Sequence, residues 1–327
     1  MLMDAQKDFI ISTKNLSKSF SLESGFFSKE SKKVYAVDDV NLLIPRGSTY
    51  GLAGESGCGK STTAKCLVKM FPVTGGQIIF KSADGQEYDV TQLKGKKLKS
   101  YREKIKYVFQ DPSRSLNPRM NVLQILTDGL KYSEKKLSRE QMILKAQQII
   151  QLVGLDKSDL YRKPNEFSGG QRQRISIARA LIMECEFIIC DEVVSALDVS
   201  IQGQVLNLLC ELRKKLNLSI LFIAHDLKVT CYFCDRIGVM YRGVMVEEAP
   251  AKDFDKNCLH PYTKLLFETV DSGNQFKNVE VKTMLQKEDG CPYAHRCLMA
   301  QEICCKQKPE LKEISENHFV RCFFCSK

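Results

Sequence analysis

Short apolar runs separated by polar turns mark the beginning of the chain. Residues 34–37 and 40–44 are two such runs, and a Pro-Arg-Gly turn follows the second. Apolar runs of this length that are bounded by turn residues are typical of β-strands joined in hairpins. The pattern therefore predicts a hairpin-rich β region over residues 9–53.

Farther along, helical and strand patterns alternate. Over residues 121–155 apolar side chains recur at spacings of three and four, the period of an amphipathic helix. Residues 187–190 and 219–224 are short apolar runs typical of strands covered on both faces of a parallel sheet, and a helical stripe lies between them at 201–216. Strands that alternate with helices predict an α/β fold with a parallel sheet.

Composition excludes several classes of protein. The chain has 327 residues, of which 43% are hydrophobic and 27% charged, values of an ordinary globular protein rather than of a disordered or fibrous one. The longest stretch free of charged residues runs from Val199 to Cys210, which is too short to span a bilayer. The first ten residues show no signal-peptide pattern, so we expect a cytosolic protein. The net charge of +10 suits a polyanionic partner without identifying it.

A glycine-rich loop follows the apolar run 48–53 and precedes a helical pattern. The segment fits the motif G-x-x-x-x-G-K-[ST] in the strand, loop and helix context that a phosphate-binding loop needs. Backbone N–H groups of such a loop can surround phosphate oxygens, while Lys60 can reach the β and γ phosphates and Ser61 can bind magnesium. The predicted phosphate ligands are Gly54, Glu55, Ser56, Gly57, Cys58, Gly59, Lys60, Ser61 and Thr62.

An acidic pair supplies the second half of this chemistry. A nucleotide-bound magnesium ion needs a carboxylate at the end of another strand, and Asp191 directly follows the apolar run 187–190. Glu192, the next residue, is placed to polarise an attacking water. The pair therefore predicts nucleotide hydrolysis rather than an ordinary surface charge.

Cys58 lies inside the phosphate loop, just ahead of a helix. The field of a helix start lowers the pKa of a nearby thiol and favours the reactive thiolate, so we predict a reactive cysteine that nucleotide protects. The alternative is a small residue that the loop merely tolerates.

A second helix start has the same anion-binding character. The segment Phe167-Ser168-Gly169-Gly170-Gln171 opens an arginine-rich helix. Two such helix starts are hard to use in one monomeric site. At this point the chain resembles the ATP-binding cassette (ABC) ATPases, whose signature is LSGGQ, with Phe167 here in the Leu position.

The resemblance covers residues 9–322 and is closest to the importer branch for oligopeptides, dipeptides and nickel. Its further motifs are Tyr107 to Pro112 and Ser115 to Met120 (Q-loop region), Ser195 to Asp198 (D-loop), Ile223 to Asp226 (H-loop) and His260 to Thr263 (a marker after the core). Residues 194–195 and 198–202 look most like the second, F-type, of the two ATPases that these importers usually pair.

The resemblance implies a P-loop NTPase fold of the α/β class. We expect a RecA-like parallel-sheet core, an N-terminal antiparallel β region, a helical subdomain at about 111–168 and a small cysteine-rich C-terminal extension. The nucleotide-binding domain is expected at 1–250 and the extension at 251–327. Because the strand 236–240 and the hairpin 243–247 are expected to finish the ATPase core, loss of a cysteine from the extension is expected to leave nucleotide binding intact.

The family's site is composite. Two subunits sandwich two ATP molecules, each between one chain's phosphate loop and the other chain's signature, here Ser168, Gly169, Gly170 and Gln171. The resemblance implies further roles: Gln110 as sensor of magnesium and of the membrane subunit, Glu192 as catalytic base, His225 at the γ-phosphate, Asp198 as coupling residue, and Ser61, Gln110 and Asp191 around Mg²⁺.

Adenine in this family stacks on an aromatic residue of the first hairpin. Phe20 is our choice and Tyr35 the alternative, with Phe26 and Phe27 also near. One position departs from the family, which usually has proline after the catalytic glutamate, whereas this chain has Val193. Since the acidic pair is intact, we interpret the change as slower or looser catalysis rather than a dead site.

Six of the fourteen cysteines follow Gly290, which is unusual for a reducing compartment unless the thiols bind metal or perform redox chemistry. The run from Cys291 to Cys297 resembles the extension of peptide-importer ATPases, which in some members binds a 4Fe-4S cluster. We expect Cys291, Cys297, Cys304 and Cys322 as its ligands, with zinc or empty thiols as the alternative and with Cys305 and Cys325 as spares.

These features predict an ATPase subunit that powers an ABC importer for peptides. A nickel or other small-solute importer of the same branch is the alternative, and a soluble ABC ATPase of DNA repair or translation is the rival from another class. The implied partners are a second ABC ATPase, two membrane permeases and, indirectly, an extracytoplasmic solute-binding protein, with no nucleic acid. The resemblance places the chain peripherally on the cytoplasmic face of the inner membrane.

Overall fold

Strands and helices alternate along the chain. The computed structural model describes residues 8–22, 32–133, 136–271 and 289–325. The strands of these residues are β1 (Phe9–Leu22), β2 (Lys32–Val40), β3 (Leu43–Pro45), β4 (Thr49–Ala53), β5 (Gly75–Lys81), β6 (Glu87–Asp89), β7 (Ile105–Val108), β8 (Phe187–Asp191), β9 (Ser219–Ile223), β10 (Arg236–Tyr241), β11 (Val244–Pro250), β12 (Lys312–Ser315) and β13 (His318–Val320). The α-helices are α1 (Lys60–Leu67), α2 (Gly95–Lys104), α3 (Pro112–Ser115), α4 (Val122–Asp128), α5 (Arg139–Leu152), α6 (Gly169–Leu181), α7 (Val199–Leu216), α8 (Leu227–Phe233), α9 (Phe254–Asn257), α10 (Pro261–Asp271) and α11 (Glu302–Lys306).

The central sheet has the order β12-β13-β11-β10-β4-β9-β8-β7. Strands β10, β4, β9, β8 and β7 run parallel to one another, whereas β11, β13 and β12 extend one edge with antiparallel pairing. Every residue of β8 and β9 is buried, which confirms the two runs predicted as strands covered on both faces. The predicted α/β class with a parallel core is therefore confirmed.

Neighbouring residues of these strands pack into different halves of the core. Ile188 and Phe222 belong to the cluster on the side of the helices α4 to α7, while Ile189 and Leu221 belong to the cluster under the N-terminal sheet. Alternation of this kind explains why the strands are apolar throughout rather than at every second position. Truncation of a side chain such as Phe222 to alanine is expected to destabilise the fold by about 3–5 kcal/mol.

The N-terminal sheet is antiparallel, as the hairpin pattern predicts. Its order is β2-β1-β5-β6, and β3 also pairs with β1. Phe20 of β1 lies opposite Val34 of β2 in this pairing. Residues 26 and 27 lie outside the described residues, as does most of the polar segment that precedes Gly290.

Capping side chains set where the helices between β7 and β8 begin. Asn121 and Gln124 form a reciprocal capping box at α4, and Ser138 and Gln141 form one at α5. Each box satisfies backbone N–H groups that the first helical turn leaves free, which is worth about 1 kcal/mol. The helical pattern predicted for 121–155 is thus two α-helices separated by a 3₁₀ turn at Gly129–Tyr132. The boundaries predicted for a helical subdomain stay a prediction.

The sheet does not end where the sequence analysis expected. Beyond β11, the C-terminal extension adds β13 next to β11 and then β12. Residues 236–247 therefore do not finish the core, because the extension contributes two strands to the same sheet. Among the described residues, no helix is both long and apolar enough to cross a membrane.

Candidate active site

The phosphate loop connects the end of β4 to the start of α1. Gly54 and Gly59 have φ angles of 141° and 112°, in the region that glycine adopts without strain. A Cβ atom on Gly59 would collide with the carbonyl oxygen of Ala36, and one on Gly54 with that of Met240. Both positions of the motif therefore need glycine for close packing as well as for the turn.

Lys60 lies inside this loop. Its buried ammonium donates to the carbonyl oxygens of Gly54, at 2.6 Å, and of Glu55, at 2.9 Å. The ammonium is thus held inside the loop to which the motif assigns phosphate binding. A bound phosphate would replace these two carbonyl oxygens as the hydrogen-bond partner of Lys60.

Ser61 and Asp191 meet at the carboxyl edge of the sheet, as the sequence predicts for the two magnesium ligands. The Ser61 hydroxyl donates to Asp191 Oδ1 at 3.0 Å. Strands β4 and β8 run parallel on either side of β9. Asp191 is the last residue of β8 and Ser61 lies in the helix that follows β4, so the two residues meet at the same edge of the sheet. Hydroxyl and carboxylate oxygens are ligands that suit Mg²⁺.

Tyr107 is a site residue that the sequence analysis missed. Its hydroxyl donates to Asp191 Oδ2, the oxygen that Ser61 leaves free. Burial and the Asp191 carboxylate raise the pKa of the Tyr107 phenol well above its usual value. The hydroxyl therefore stays a donor that fixes the carboxylate, and its only signal in the sequence was its place three residues before Gln110.

Gln110 and Glu192 also come together. The Gln110 side-chain amide donates to Glu192 Oε2 at 2.6 Å. Glu192 has a φ of 50°, the left-handed region that costs a non-glycine residue about 1 kcal/mol or more. Its backbone is held there by bonds to Ile223 and Ser195 on either side. The strained backbone places the carboxylate next to Gln110.

Val193, the departure from the family pattern, is buried in the core cluster on the helical side of the sheet. An apolar side chain here packs without disturbing the bond between Gln110 and Glu192. The predicted effect of Val193 on turnover stays a prediction.

Three further predicted residues lie at the surface. His225 follows the end of β9 and is exposed. Asp198 occupies the N-cap position of α7 without a capping bond from its side chain, and it is exposed as well. Phe20 is 37% exposed, with its ring edge-on to Phe71 and under the ammonium of Lys18. An accessible ring with one packed edge is compatible with stacking on a base.

The signature segment is organised by local bonds. Ser168 and Gln171 form a reciprocal capping box at the start of α6. Phe167 is buried beneath the guanidinium of Arg162, which lies 4.4 Å from the ring centre. Within the described residues, no hydrogen bond joins this segment to the phosphate loop.

Cys58 corrects a prediction. The thiol is 4% exposed, and burial raises its pKa despite the opposing effect of the Lys60 ammonium. The prediction of a lowered pKa was wrong because the field of the helix start is outweighed by loss of hydration. Cys58 therefore packs as an apolar residue.

The cysteines of the extension lie near one another, although not as a metal centre. Burial, and then the neighbouring thiols, raise the pKa of Cys291 and of Cys297. Cys322 has its pKa lowered to about 6, chiefly by a hydrogen bond from Cys325. Over residues 8–22, 32–133, 136–271 and 289–325, no group of three or more His, Cys, Asp or Glu side chains is arranged to hold a metal ion. The expected 4Fe-4S cluster thus gains no support from this geometry.

Comparison with known families agrees with these features. Residues 37–195 match the model described as ABC transporter. Residues 246–304 match the model described as oligopeptide/dipeptide transporter, C-terminal region. The second match ends within the cysteine-rich extension.

Curated relatives resemble the chain over nearly its full length. It is 42% identical to the oligopeptide transport ATP-binding protein AppF of Bacillus subtilis, with 98% of this chain and 99% of that protein covered. It is 40% identical to the oligopeptide transport ATP-binding protein OppF of Haemophilus influenzae, with the same coverage of 98% and 99%.

Solved structures share the fold. The dimeric post-hydrolysis structure of the ATP-binding cassette MJ0796, bound to ADP and Pi, has a TM-score of 0.63 and 27% identity over 74% of this chain and 99% of that one. The structure of cbiO1 from Clostridium perfringens has a TM-score of 0.65 and 25% identity over 76% of this chain and 92% of that one.

Proposed function

The chain belongs to the ABC transporter family of ATP-binding proteins, and we propose that it is the ATP-hydrolysing subunit of an importer for oligopeptides. One observation supports the hydrolytic function above all: Ser61, Asp191 and the pair of Gln110 and Glu192 meet at one edge of the sheet. The peptide substrate is supported by the curated relatives, which are oligopeptide transport ATP-binding proteins at 40% identity or more.

In this proposal the phosphate loop binds the β and γ phosphates. Backbone N–H groups at the start of α1 face the anion, and Lys60 transfers its hydrogen bonds from the carbonyls of Gly54 and Glu55 to phosphate oxygens. A magnesium ion supplies charge neutralisation when bound, and Ser61 and Asp191 are the residues that would hold it. Tyr107 keeps the Asp191 carboxylate oriented.

Glu192 acts as the general base in the same proposal. Its carboxylate accepts a hydrogen bond from Gln110, so movement of Gln110 would free that oxygen for a water molecule. His225 contacts the γ-phosphate, Phe20 stacks on adenine, and Asp198 couples the two sites.

The signature segment acts on a second subunit. Ser168 to Gln171 would close over the nucleotide of a partner ATPase, which we propose to be a different chain of the same family. Two permease subunits would carry the peptide across the membrane, with a solute-binding protein delivering it from outside, so the chain would be bound peripherally at the cytoplasmic face of the membrane.

A transport assay tests the substrate. The gene is deleted in its host and complemented with the wild type, with Lys60→Ala, or with Lys96→Ala as a control at an exposed lysine of α2. Uptake of a radiolabelled tetrapeptide is expected to be lost on deletion and restored by the wild type and the control alone. Loss of radioactive nickel uptake with peptide uptake intact would instead identify a nickel importer.

We propose separately that Cys291, Cys297, Cys304 and Cys322 take up a metal group, a 4Fe-4S cluster with zinc as the alternative. Cys291, Cys297 and Cys304 lie within the residues that match the oligopeptide/dipeptide transporter C-terminal model, and the Cys291 N–H donates to the Cys304 carbonyl oxygen at 2.7 Å, which supports this proposal. The side chains of the described residues do not by themselves form a group of three or more ligands for a metal ion. Anaerobic purification followed by iron, sulfide and zinc analysis decides. About four irons and four sulfides per chain support the cluster, one zinc supports the alternative, and no metal rejects both.

A further inference from the structure

An ion pair joins the C-terminal extension to the phosphate loop. The Arg296 guanidinium nitrogen Nη1 lies 3.0 Å from both carboxylate oxygens of Glu55, the second residue of the loop. The two side chains are 22% and 11% exposed, so water screens the pair only partly. A charge-assisted contact of this kind restricts the loop much more than a surface ion pair would.

A second bond holds the backbone of the same residue. The Glu55 N–H donates to the hydroxyl of Tyr262 at 2.8 Å, and Tyr262 on α10 is fully buried. Burial also raises the pKa of this phenol well above its usual value, so the hydroxyl stays neutral. Glu55 is therefore fixed at its side chain by Arg296 and at its backbone by Tyr262.

An aromatic cluster supports both contacts. The ring of Tyr262 packs 4.6 Å from that of Tyr241 and 5.4 Å from that of Tyr293. The Arg296 guanidinium lies 5.9 Å from the ring centres of Tyr241 and Tyr293. Close ring contacts and a cation beside two rings hold the arginine in one orientation.

The fixed residue also contacts Lys60, the lysine of the phosphate loop. The carbonyl oxygen of Glu55 accepts a hydrogen bond from the Lys60 ammonium at 2.9 Å. A shift of the Glu55 peptide would thus move a lysine partner and the neighbouring N–H groups that are to face phosphate. The extension is thus linked to the nucleotide site through Glu55.

We propose that Arg296 and Tyr262 are positioning residues that hold Glu55, so that the phosphate loop is preformed for nucleotide only when the C-terminal extension is docked. This inference rests on the ATPase function of the chain. It reverses the expectation that changes in the extension leave nucleotide binding intact. Cys291 belongs to the same unit, since its N–H donates to the carbonyl oxygen of Cys304 at 2.7 Å.

The test compares two ion pairs of the extension. Arg296→Met removes the pair at the loop. Lys308→Met is the matched control, because Lys308 pairs with Asp38 at 2.5 Å and these side chains are 22% and 9% exposed. Binding of a fluorescent ATP analogue and steady-state ATPase kinetics are measured on the full-length chain with its partner subunits.

Arg296→Met is expected to weaken nucleotide binding about 10-fold and to raise KM by a similar factor with kcat little changed, since the loop contacts phosphate before and during the reaction. Glu55→Gln should give a similar loss, and the double variant should be no weaker than the worse single one. Tyr262→Phe should weaken binding a few-fold. Lys308→Met should bind as the wild type does.

Other results would overturn the inference. It fails if Arg296→Met binds nucleotide as Lys308→Met does, or if the effects of Arg296→Met and Glu55→Gln multiply. If Arg296→Met does not fold, Arg296→Lys is measured instead, because it keeps the charge but not the geometry of the guanidinium. This variant must still bind nucleotide more weakly than the wild type. Failure of the wild type itself to bind nucleotide would overturn the ATPase function and, with it, this inference.

Discussion

The phosphate loop and the signature segment are both helix starts suited to anions, but their surroundings differ. Around the loop, side chains from β7, β8, α10 and the C-terminal extension bond to one another or to the loop, as Ser61, Asp191 and Arg296 show. At the signature, the Ser168 and Gln171 side chains bond to each other's backbone in a capping box, and they make no other hydrogen bond to the part of the chain that the structure describes. The difference agrees with the proposal that the phosphate-loop edge is one half of a hydrolytic site and that the signature segment serves another chain.

The largest expected effect concerns the hydrolytic half. Glu192→Gln should lower ATP turnover by about 10²–10⁴-fold while ATP binding is retained, because only the base that polarises water is lost. Phosphate release and nucleotide affinity are measured side by side. Glu211→Gln, an exposed change on α7, is the control and should keep full turnover. Wild-type turnover in Glu192→Gln would contradict the assignment of the base.

The next effect tests the signature half. Ser168→Arg should block hydrolysis in the assembled ATPase pair by placing a bulky cation at the partner's γ-phosphate, while the isolated chain binds ATP normally. Ser138→Arg removes an equivalent capping box at α5, so it matches the loss of helix stability, about 1 kcal/mol, without touching the signature. Equal ATPase loss in the two variants would show that only helix capping matters.

A smaller effect concerns the accessibility of Cys58 in the phosphate loop. Since burial raises the pKa of Cys58, its thiol should react with N-ethylmaleimide at least about 10-fold more slowly than the exposed Cys305. Peptide mapping by mass spectrometry at several times gives both rates within one sample. Preferential early labelling of Cys58 would mean that the loop is open in solution.

The smallest effect concerns the support behind the loop. Burial lowers the pKa of His260 to about 4, in spite of the nearby Glu247 carboxylate, and its Nδ1 accepts a hydrogen bond from the Tyr262 N–H. In the unfolded chain the imidazole has its usual pKa of about 6.5, so it binds a proton that the folded chain does not bind. The stability that the neutral His260 contributes is therefore fully present above about pH 6.5 and is lost as the pH falls toward 4.

His260→Asn keeps an acceptor near this position and removes the titration. The wild type should lose about 2 kcal/mol more unfolding free energy between pH 7.5 and pH 5 than this variant does. Urea unfolding at both pH values measures the difference. Identical pH dependence in the two proteins would show that His260 is not held neutral in the fold.

The sequence predicted those features of the fold that depend on residues close to one another along the chain. The apolar runs of β8 and β9 and the glycine loop carry their own signals, because burial on two faces and the loop's turns restrict residue types locally. The sequence also predicted that Ser61 and Asp191 lie together, since parallel strands bring their carboxyl ends to one edge of the sheet. The prediction of a lowered pKa for Cys58 was wrong because a motif does not show how deeply a side chain is buried.

Contacts between distant segments were beyond sequence reasoning. Glu55 and Arg296 are separated by 241 residues, and a single arginine among many basic residues does not show its partner. The strand β13 is only three residues long, His318–Val320, so no alternation could mark it as an extension of the central sheet. Tyr107 likewise became a site residue only when β7 was placed beside β8.

We infer that hydrolysis needs two chains, and ATPase activity measured as a function of concentration separates this mechanism from hydrolysis by a monomer. Specific activity of the purified chain, alone and with its partner ATPase, is measured across dilutions at which light scattering reports the oligomeric state. We predict that monomers bind ATP but do not hydrolyse it, and that activity rises with the fraction of dimer. Constant specific activity down to dilutions where only monomer is present would show that one chain hydrolyses ATP without a partner.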